Sequence, residues 1–300
     1  MSDRVLYRRK RIKKILNGAG IFIIAAFLAL LIANRAADIS VRFTPGYEKV
    51  DLKEIFNATG EDISGGVLSA ENLSEEMYHS LLQQTGLGKD AVDKIFETEY
   101  NPVKTLEAYQ DDFFDPKEYK CESIGIVTRE ERLYVEDGRL LNGYLLADVR
   151  NGDILMTKAT HSVGWRHGHA AIVVDAVRGK TLEAVIWGKP SMIQDLSKWR
   201  TYPTFIQLRY KQQEIGEEVA KYAEEHMDRV DYGLLAGLLP SHGEEIASTQ
   251  CSHLPWYVYM HFGIDLNSNG GWLVTPKDIV NSELLEIVQL YGVNPDEVWK

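Results

Sequence analysis

The sequence predicts an α+β protein in which a helical region precedes a mainly antiparallel sheet. Three observations favour this class. An uncharged apolar stretch occupies residues 15–33, helix-like segments lie within residues 51–97, and short β-like runs begin near residue 153. Glycine-containing turns separate the β-like runs, and helical patterns return after residue 215. Strands and helices that are segregated along the chain are typical of α+β folds rather than alternating α/β folds.

The first segment has the features of a membrane anchor. Residues 1–14 carry seven Lys and Arg, and residues 15–33 follow without a charge over ~19 residues, a length that crosses a bilayer as a helix. The basic block is expected to stay cytoplasmic, with the rest of the chain outside. The alternative is a signal peptide cleaved after Ala36 or Ala37, although its apolar core would be shorter. We expect residues 1–37 to be a single-pass anchor in a bacterial cell membrane.

The charge distribution limits the classes of partner. The chain carries a formal net charge of −11, and because residues 1–14 contribute +6, from seven cations and one Asp, the other residues carry −17. An acidic body of this kind argues against nucleic acid as a partner. The two cysteines are too few for a disulfide scaffold or a four-thiolate zinc site.

Residues 38–145 have a helical pattern and no catalytic constellation. Segments 51–57, 74–84 and 89–97 have helical spacing, and Ser74 followed by two glutamates is a typical helix start. We expect a mainly helical stalk or cap. The alternative is a lid or a substrate-binding surface.

Residues 146–300 are expected to form the catalytic domain. Runs with β-like composition occur at residues 153–157, 169–174, 181–187 and 204–209. Helical patterns follow at residues 215–227 and after Cys251. These patterns predict an antiparallel sheet packed against a helix that carries the cysteine.

Cys251 is the candidate nucleophile. Ser248 and Thr249 favour a helix start close to it, and Pro255 is tolerated only in a first helical turn. Free N–H groups and the dipole at a helix N-terminus favour a thiolate, which is the reactive form of cysteine. The alternative is a cysteine that packs as a small buried apolar side chain.

A thiolate nucleophile needs a neighbouring base, and His169 is the main candidate. It begins an apolar run between two small residues, so it is expected at the mouth of a buried strand, facing a cleft. His167 lies on the same strand face if the strand extends back that far. His253 is not expected to be the base, because residues two apart on a helix, such as His253 and Cys251, point apart.

Glu183 is the candidate partner for the second nitrogen of His169. It interrupts an apolar run, where a carboxylate is costly unless it is exposed or partnered. A three-residue turn at residues 178–180 would put Glu183 and His169 on one sheet face. A two-residue turn at residues 178–179 would put them on opposite faces unless a bulge corrects the register. The reserve partners are His167, Asp175 and Gln250.

Two other uses of these residues stay open at the level of sequence. A zinc ion would use His161, His167, His169 and Cys251. No HExxH or CxxC motif accompanies these residues. Outside the cell, Cys121 and Cys251 could instead form a disulfide, which would close a long loop and silence the nucleophile.

Several short segments occur in a distinctive order along the second half of the chain. They are residues 151–155 (NGDIL), 168–173 (GHAAIV), 182–184 (LEA), 251–254 (CSHL) and 275–278 (TPKD), together with Tyr232. In this order they resemble the circularly permuted branch of the NlpC-type papain-like fold, the permuted papain-like amidases. In the unpermuted family the cysteine helix precedes the histidine strand and an Asp precedes the nucleophile, whereas here the helix follows and Gln250 stands in that place.

The resemblance covers about residues 146–290 and implies a permuted papain-like fold with thiol chemistry. It implies that Cys251 attacks a carbonyl, His169 transfers the proton and Glu183 holds the imidazole. No metal or cofactor is needed. The residues expected to line the substrate site are Tyr232, His167, Gln250 and His253.

For an exported, membrane-held enzyme, the resemblance implies hydrolysis of an amide bond, with cell-wall peptides and peptidoglycan as the expected substrates. Lipid or ester acyl hydrolases and transferases share the permuted fold and are the alternative. A non-catalytic cell-wall binding protein would have a similar sequence. The expected partners are therefore a peptide or acyl substrate and, through residues 15–33, the membrane.

Overall fold

A computed structural model describes residues 3–57, 69–212, 215–237 and 246–299. The architecture is α+β, as the sequence predicts: an apolar N-terminal helix, a layer of short helices, and two antiparallel sheets.

The N-terminal helix, α1 (Asp3–Ala36), contains the predicted apolar stretch. Within its segment Ile12–Ala36, an 18-residue window has a mean hydropathy of 2.6 and no buried residue. The helix is therefore long and apolar enough to cross a membrane.

Helices form the layer that follows. In chain order they are α2 (Leu52–Asn57), α3 (Glu75–Thr85), α4 (Lys89–Thr98) and α5 (Pro102–Phe114). The hydroxyl of Ser74 accepts a hydrogen bond from the Met77 N–H and begins α3, as the sequence predicts. The layer has its own apolar core, which includes Leu81, Val92 and Leu106.

Nine strands occur among the described residues. They are β1 (Tyr119–Ser123), β2 (Thr128–Leu133), β3 (Ile154–Thr157), β4 (Thr160–Ser162), β5 (His169–Asp175), β6 (Lys180–Glu183), β7 (Met192–Asp195), β8 (Phe205–Tyr210) and β9 (Leu285–Tyr291). Strands β1, β2 and β4 form a small sheet, and the larger sheet has the order β7-β6-β5-β3-β8-β9. The strands predicted near β3, β5 and β8 are confirmed. The run predicted at residues 181–187 is a strand only up to Glu183. The sequence did not predict α5, β1, β2, β4, β7 or β9.

Both faces of the larger sheet are covered. Helices α6 (Gly216–Met227), α7 (His253–His261) and α8 (Pro276–Val280) lie between β8 and β9 in the chain, and α6 and α7 pack against β5. Ala170 and Ile172 of β5 share a core with these helices, whereas Ala171 and Val173 pack on the other face with Trp199. A strand covered on both faces is expected to be apolar throughout, as β5 is.

The β5–β6 hairpin decides which face Glu183 occupies. The last pair, Asp175↔Lys180, is closed by a four-residue connection, so neither predicted turn length is right. A bulge then shifts the register between Val173 and Asp175, and Ile172 pairs with Leu182. Glu183 therefore lies opposite Ala171, two residues from His169, on the same face.

The helical layer is attached to the outer edge of β9. Leu87 forms an isolated bridge with Gln289, and the Gly88 N–H donates to the Val288 carbonyl at 2.9 Å. A Cβ on Gly88 would lie 1.7 Å from the backbone oxygen of Ile287. This close approach of two backbones requires glycine.

We therefore expect Gly88→Ala to destabilise the protein by roughly 1–3 kcal/mol, because the added methyl group pushes the helical layer away from β9. The melting temperature of the detergent-solubilised full chain would fall by roughly 3–10 °C. Gly46→Ala is the control, since a Cβ there meets no atom within 4 Å. Equal melting temperatures for the two variants would contradict this attachment.

Candidate active site

Cys251 lies two residues before the first residue of α7 and is 8% exposed. Pro255 falls in the first turn of the helix, as predicted, but Ser248 and Thr249 do not cap it. The side chain of Gln250 takes this role, because its Oε1 accepts hydrogen bonds from the Ser252 N–H and hydroxyl, both at 2.9 Å. Gln250, the residue before Cys251, thus closes the turn that carries the sulfur.

Gln250 is fixed at both ends of its amide. Its Nε2 donates to the Val274 carbonyl at 3.1 Å, and the Ser252 hydroxyl donates to the same carbonyl at 2.8 Å. The Cys251 thiol also points to Gln250 Oε1, at 3.5 Å. In this structure Gln250, predicted to line the substrate site, positions the nucleophile.

His169 connects the cysteine to a buried carboxylate. It is the first residue of β5, and its Nε2 donates to Glu183 Oε2 at 2.8 Å. Cys251 also lies beside the ring, close enough to raise the pKa of His169. Because Nε2 is bound to Glu183, Nδ1 is the nitrogen left to interact with the sulfur. The structure therefore brings together Cys251, His169 and Glu183, the three residues predicted to carry the chemistry.

Glu183 is completely buried and fully partnered. Besides His169, its carboxylate accepts hydrogen bonds from Thr181 Oγ1 at 2.9 Å, Trp199 Nε1 at 3.0 Å and Lys198 Nζ at 2.7 Å. A buried carboxylate that accepts several hydrogen bonds beside a cation stays ionised. Glu183 can therefore hold a positive charge on His169.

The charges of the pair stabilise each other. Burial opposes a charge on His169, but hydrogen bonds to Cys251 and Glu183 overcome this effect and raise its pKa to about 9. Burial also opposes the Glu183 carboxylate, yet the Lys198 charge and the His169 hydrogen bond hold its pKa well below the usual value. At neutral pH the site thus contains an imidazolium next to the thiol.

Trp199 fixes the plane of the imidazole. It lies in the 3₁₀ helix Leu196–Thr201, and its ring stacks on His169 with centroids 5.6 Å apart and an interplanar angle of 8°. Because the same indole donates to Glu183, one side chain orients both His169 and its partner.

Tyr232 lies near Cys251, and its role in lining the substrate site stays a prediction. Its segment forms a parallel bridge with Thr249, two residues before the nucleophile. Burial and the nearby Cys251 raise the pKa of the Tyr232 phenol, so it stays neutral and can donate a hydrogen bond.

The other two predicted lining residues make mainly internal contacts. His253 is buried, its Nδ1 lies 3.1 Å from the Thr249 hydroxyl, and burial lowers its pKa to about 4. His167 is bound by the Ser162 hydroxyl at 2.9 Å and the Gly168 carbonyl at 2.7 Å, and burial lowers its pKa. Cys251 raises the pKa of His169 but affects the pKa of neither His167 nor His253.

The reserve and alternative assignments find little support in the geometry. Asp175 pairs with Arg178 at the far end of the β5–β6 hairpin. Both cysteines are free, so the disulfide considered above does not form in this structure. The proposed zinc ligands are not gathered at one point. Within the described ranges, the residues close enough to share an ion are Asp38, Cys121 and His161. Arg129 already donates to both oxygens of Asp38.

Sequence reasoning missed Thr181, Lys198 and Trp199. Thr181 could have been found, because it lies two residues before Glu183 and therefore on the same strand face. Lys198 and Trp199 reach Glu183 from a separate segment, and no local pattern indicates that contact. In comparisons with known proteins, no family model and no curated protein matches this chain.

The charged pair predicts a pH window of stability. The His169 contribution is complete below its ordinary pKa of 6.5 and is lost as the pH rises through about 9. The Glu183 contribution is present above 4.5 and is lost as the pH falls. We expect the melting temperature to be highest between pH 4.5 and pH 6.5 and to fall toward pH 9.

His169→Gln should flatten the alkaline limb of this profile, because the group that loses its proton is gone. His79→Gln is the control, since the His79 side chain is 57% exposed. If His169→Gln and the parent protein lost the same stability between pH 6.5 and 9, the interaction with Glu183 would not control the alkaline limb.

Proposed function

We propose that this protein is a membrane-anchored cysteine hydrolase with a permuted papain-like fold, which cleaves an amide bond through an acyl-enzyme on Cys251. The observation that carries the proposal is the buried group of Cys251, His169 and Glu183, in which His169 Nε2 donates to Glu183 and both neighbours raise the histidine pKa. A thiol, a base and a group that orients the base are the components of nucleophilic acyl transfer.

The order of the elements supports the permuted fold. His169 and Glu183 lie on the adjacent strands β5 and β6, and the cysteine lies at the start of the later helix α7. Cys251 shares the core between α7 and β5, whereas Glu183 lies on the other face of the sheet with Trp199. His169, the first residue of β5, lies where the strand begins, and from there it can reach both Cys251 and Glu183.

The first half-reaction forms the acyl-enzyme. The Cys251 thiolate attacks the carbonyl carbon, a C–S bond forms, and the carbonyl electrons move to oxygen. The Cys251 N–H, at the start of the helical turn, is the donor that would stabilise this oxyanion. The Ser252 N–H is already bonded to Gln250. The His169 proton then passes to the nitrogen, the C–N bond breaks and the amine leaves.

The second half-reaction restores the enzyme. Neutral His169 takes a proton from water as the water oxygen attacks the thioester, and Glu183 stabilises the imidazolium that forms. The tetrahedral intermediate collapses, the C–S bond breaks and a carboxylic acid leaves. The thiolate and the imidazolium are then in place for another cycle.

The substrate class follows from the anchor. A basic segment before α1 favours a cytoplasmic N-terminus and a catalytic domain outside the cell membrane. Peptide amides of the cell wall are the substrates that such a bacterial enzyme would meet, with peptidoglycan as the partner. Residues 15–33 hold the domain at that membrane.

Acyl esters of lipids are the second candidate. The exposed Trp165 and Trp187 lie four residues before His169 and four residues after Glu183. Apolar side chains near the catalytic strands would favour an acyl chain. Assays of soluble peptides and of acyl esters separate the two substrate classes.

Thiol alkylation tests the pair without a known substrate. Because the His169 charge favours the thiolate, we expect iodoacetamide to label Cys251 of the parent protein at pH 6 and at least about tenfold more slowly in His169→Ala. Both proteins would carry Cys121→Ser, so that Cys251 is the single thiol, and its labelling would be measured by peptide mass. Equal rates at pH 6 would contradict the pair.

Turnover is the second test. On cleavable cell-wall peptides, Cys251→Ala should lower kcat by about 10³-fold or more, since no other group replaces the nucleophile. Cys121→Ala is the matched control and should keep parent activity. A parent that cleaves neither peptides nor acyl esters, or a Cys251→Ala variant with parent activity, would contradict the hydrolase.

A further inference from the structure

We propose that three acid-free loops beside the end of α1, residues 124–127, 162–167 and 184–190, form a surface that binds the headgroup region of the lipid bilayer. We call them the interfacial loops. The proposal rests on α1 crossing a membrane and is independent of the cysteine chemistry. It adds a second, peripheral membrane contact made by the folded body.

The end of α1 is built into the folded body. Asn34 is 3% exposed, and its side-chain Nδ2 donates to the Val127 carbonyl at 2.9 Å. The Gly164 N–H donates to Asn34 Oδ1, and His161 Nε2 lies 3.3 Å from the Asn34 carbonyl. The last apolar turn of α1 ends at Ala33, one residue away. Since a helix rises about 1.5 Å per residue, two of the interfacial loops lie level with the end of the membrane span.

Residues 37–39, which follow α1, are also bonded to the folded body. Arg166 donates to the carbonyls of Ala37 and Ile39 at 3.1 and 2.7 Å. Arg129 donates to both oxygens of Asp38 at 2.5 Å. A body fixed to its anchor in this way presents one defined side to the bilayer, unlike a domain on a flexible linker.

The interfacial loops carry exposed apolar side chains on the side that faces the bilayer. The exposed fractions are 82% for Ile126, 59% for Trp165 and 78% for Trp187, and Val163 is 39% exposed. The third loop adjoins the first, because a Cβ on Gly125 would lie 2.3 Å from Ile186 Cδ1. Exposed tryptophans close to the end of a membrane span are typical of the membrane–water interface.

The charge of the interfacial loops fits the same partner. The chain outside residues 1–14 carries −17, yet these loops contain no Asp or Glu and carry the cation Lys189, while Arg166 is paired with Glu131. An anionic bilayer surface would repel an acidic body but not this side of it. The lipid surface is therefore the occupant that both the apolar tips and the local charge favour.

Fluorescence quenching by brominated lipids tests the contact directly. The full-length protein would be reconstituted in vesicles of phosphatidylethanolamine and phosphatidylglycerol whose acyl chains carry bromine near the carbonyl end. Trp165 and Trp187 are two of six tryptophans, so we expect up to about one third of the emission to be quenched. The quenched part should disappear in Trp165→Ser/Trp187→Ser.

Trp272→Ser is the matched control, because Trp272 is 83% exposed and lies outside the interfacial loops. It should retain the quenched part. No quenching in the parent, quenching retained in the double variant, or quenching lost only in Trp272→Ser would each overturn the proposal. Protection of Trp165 and Trp187 from aqueous iodide without bromolipid quenching would show that a second copy or another protein covers these loops, and would overturn it too. Failure of the hydrolase would leave these outcomes unchanged.

Discussion

The candidate site is organised by the need to neutralise one buried carboxylate. Glu183 has no exposed surface, so every lone pair that water would otherwise solvate must find a donor within the protein. Four donors from three segments meet it: Thr181 beside it on β6, His169 on β5, and Lys198 with Trp199 on the 3₁₀ helix. The position and charge of the imidazole follow from this requirement, and the imidazole in turn faces Cys251. Removing a single donor would leave a buried charge under-satisfied, which is far more costly than losing an exposed ion pair.

The fold supplies this arrangement through small local features. The bulge between Val173 and Asp175 turns Glu183 to the face that His169 uses. The Gln250 side chain closes the turn that presents the sulfur. At the other edge of the sheet, Gly88 lets the helical layer approach β9 closely enough for backbone hydrogen bonds. Each feature acts on backbone position, and the first two bring Cys251, His169 and Glu183 together.

The sequence predicted the α+β class, the apolar helix and the three central site residues, because each leaves a local signal. Neighbouring residues alone indicate these features. They are an uncharged stretch after a basic block, a histidine at the start of a β-like run, and a proline in the first turn of a helix. Neither predicted length of the β5–β6 turn was right, because residues 173–180 carry no clear signature of the four-residue connection or of the bulge. Lys198 and Trp199 were missed because their contact with Glu183 depends on tertiary packing. Strand β1 was missed because its exposed charges resemble those of a helical or irregular segment, and β2 was missed because a run of charged residues gives no sign that it is buried.

Direct capture of the acyl-enzyme is the most decisive measurement. The full-length protein would be mixed with a cinnamoyl ester, whose acyl group leaves slowly, quenched in acid and mapped by peptide mass. A cysteine hydrolase would carry one cinnamoyl group on Cys251, which decays with time in water, and His169→Ala would acquire it much more slowly. An adduct only on Cys121, no adduct at all, or equal labelling of the parent and His169→Ala would contradict acyl transfer through the Cys251–His169 pair.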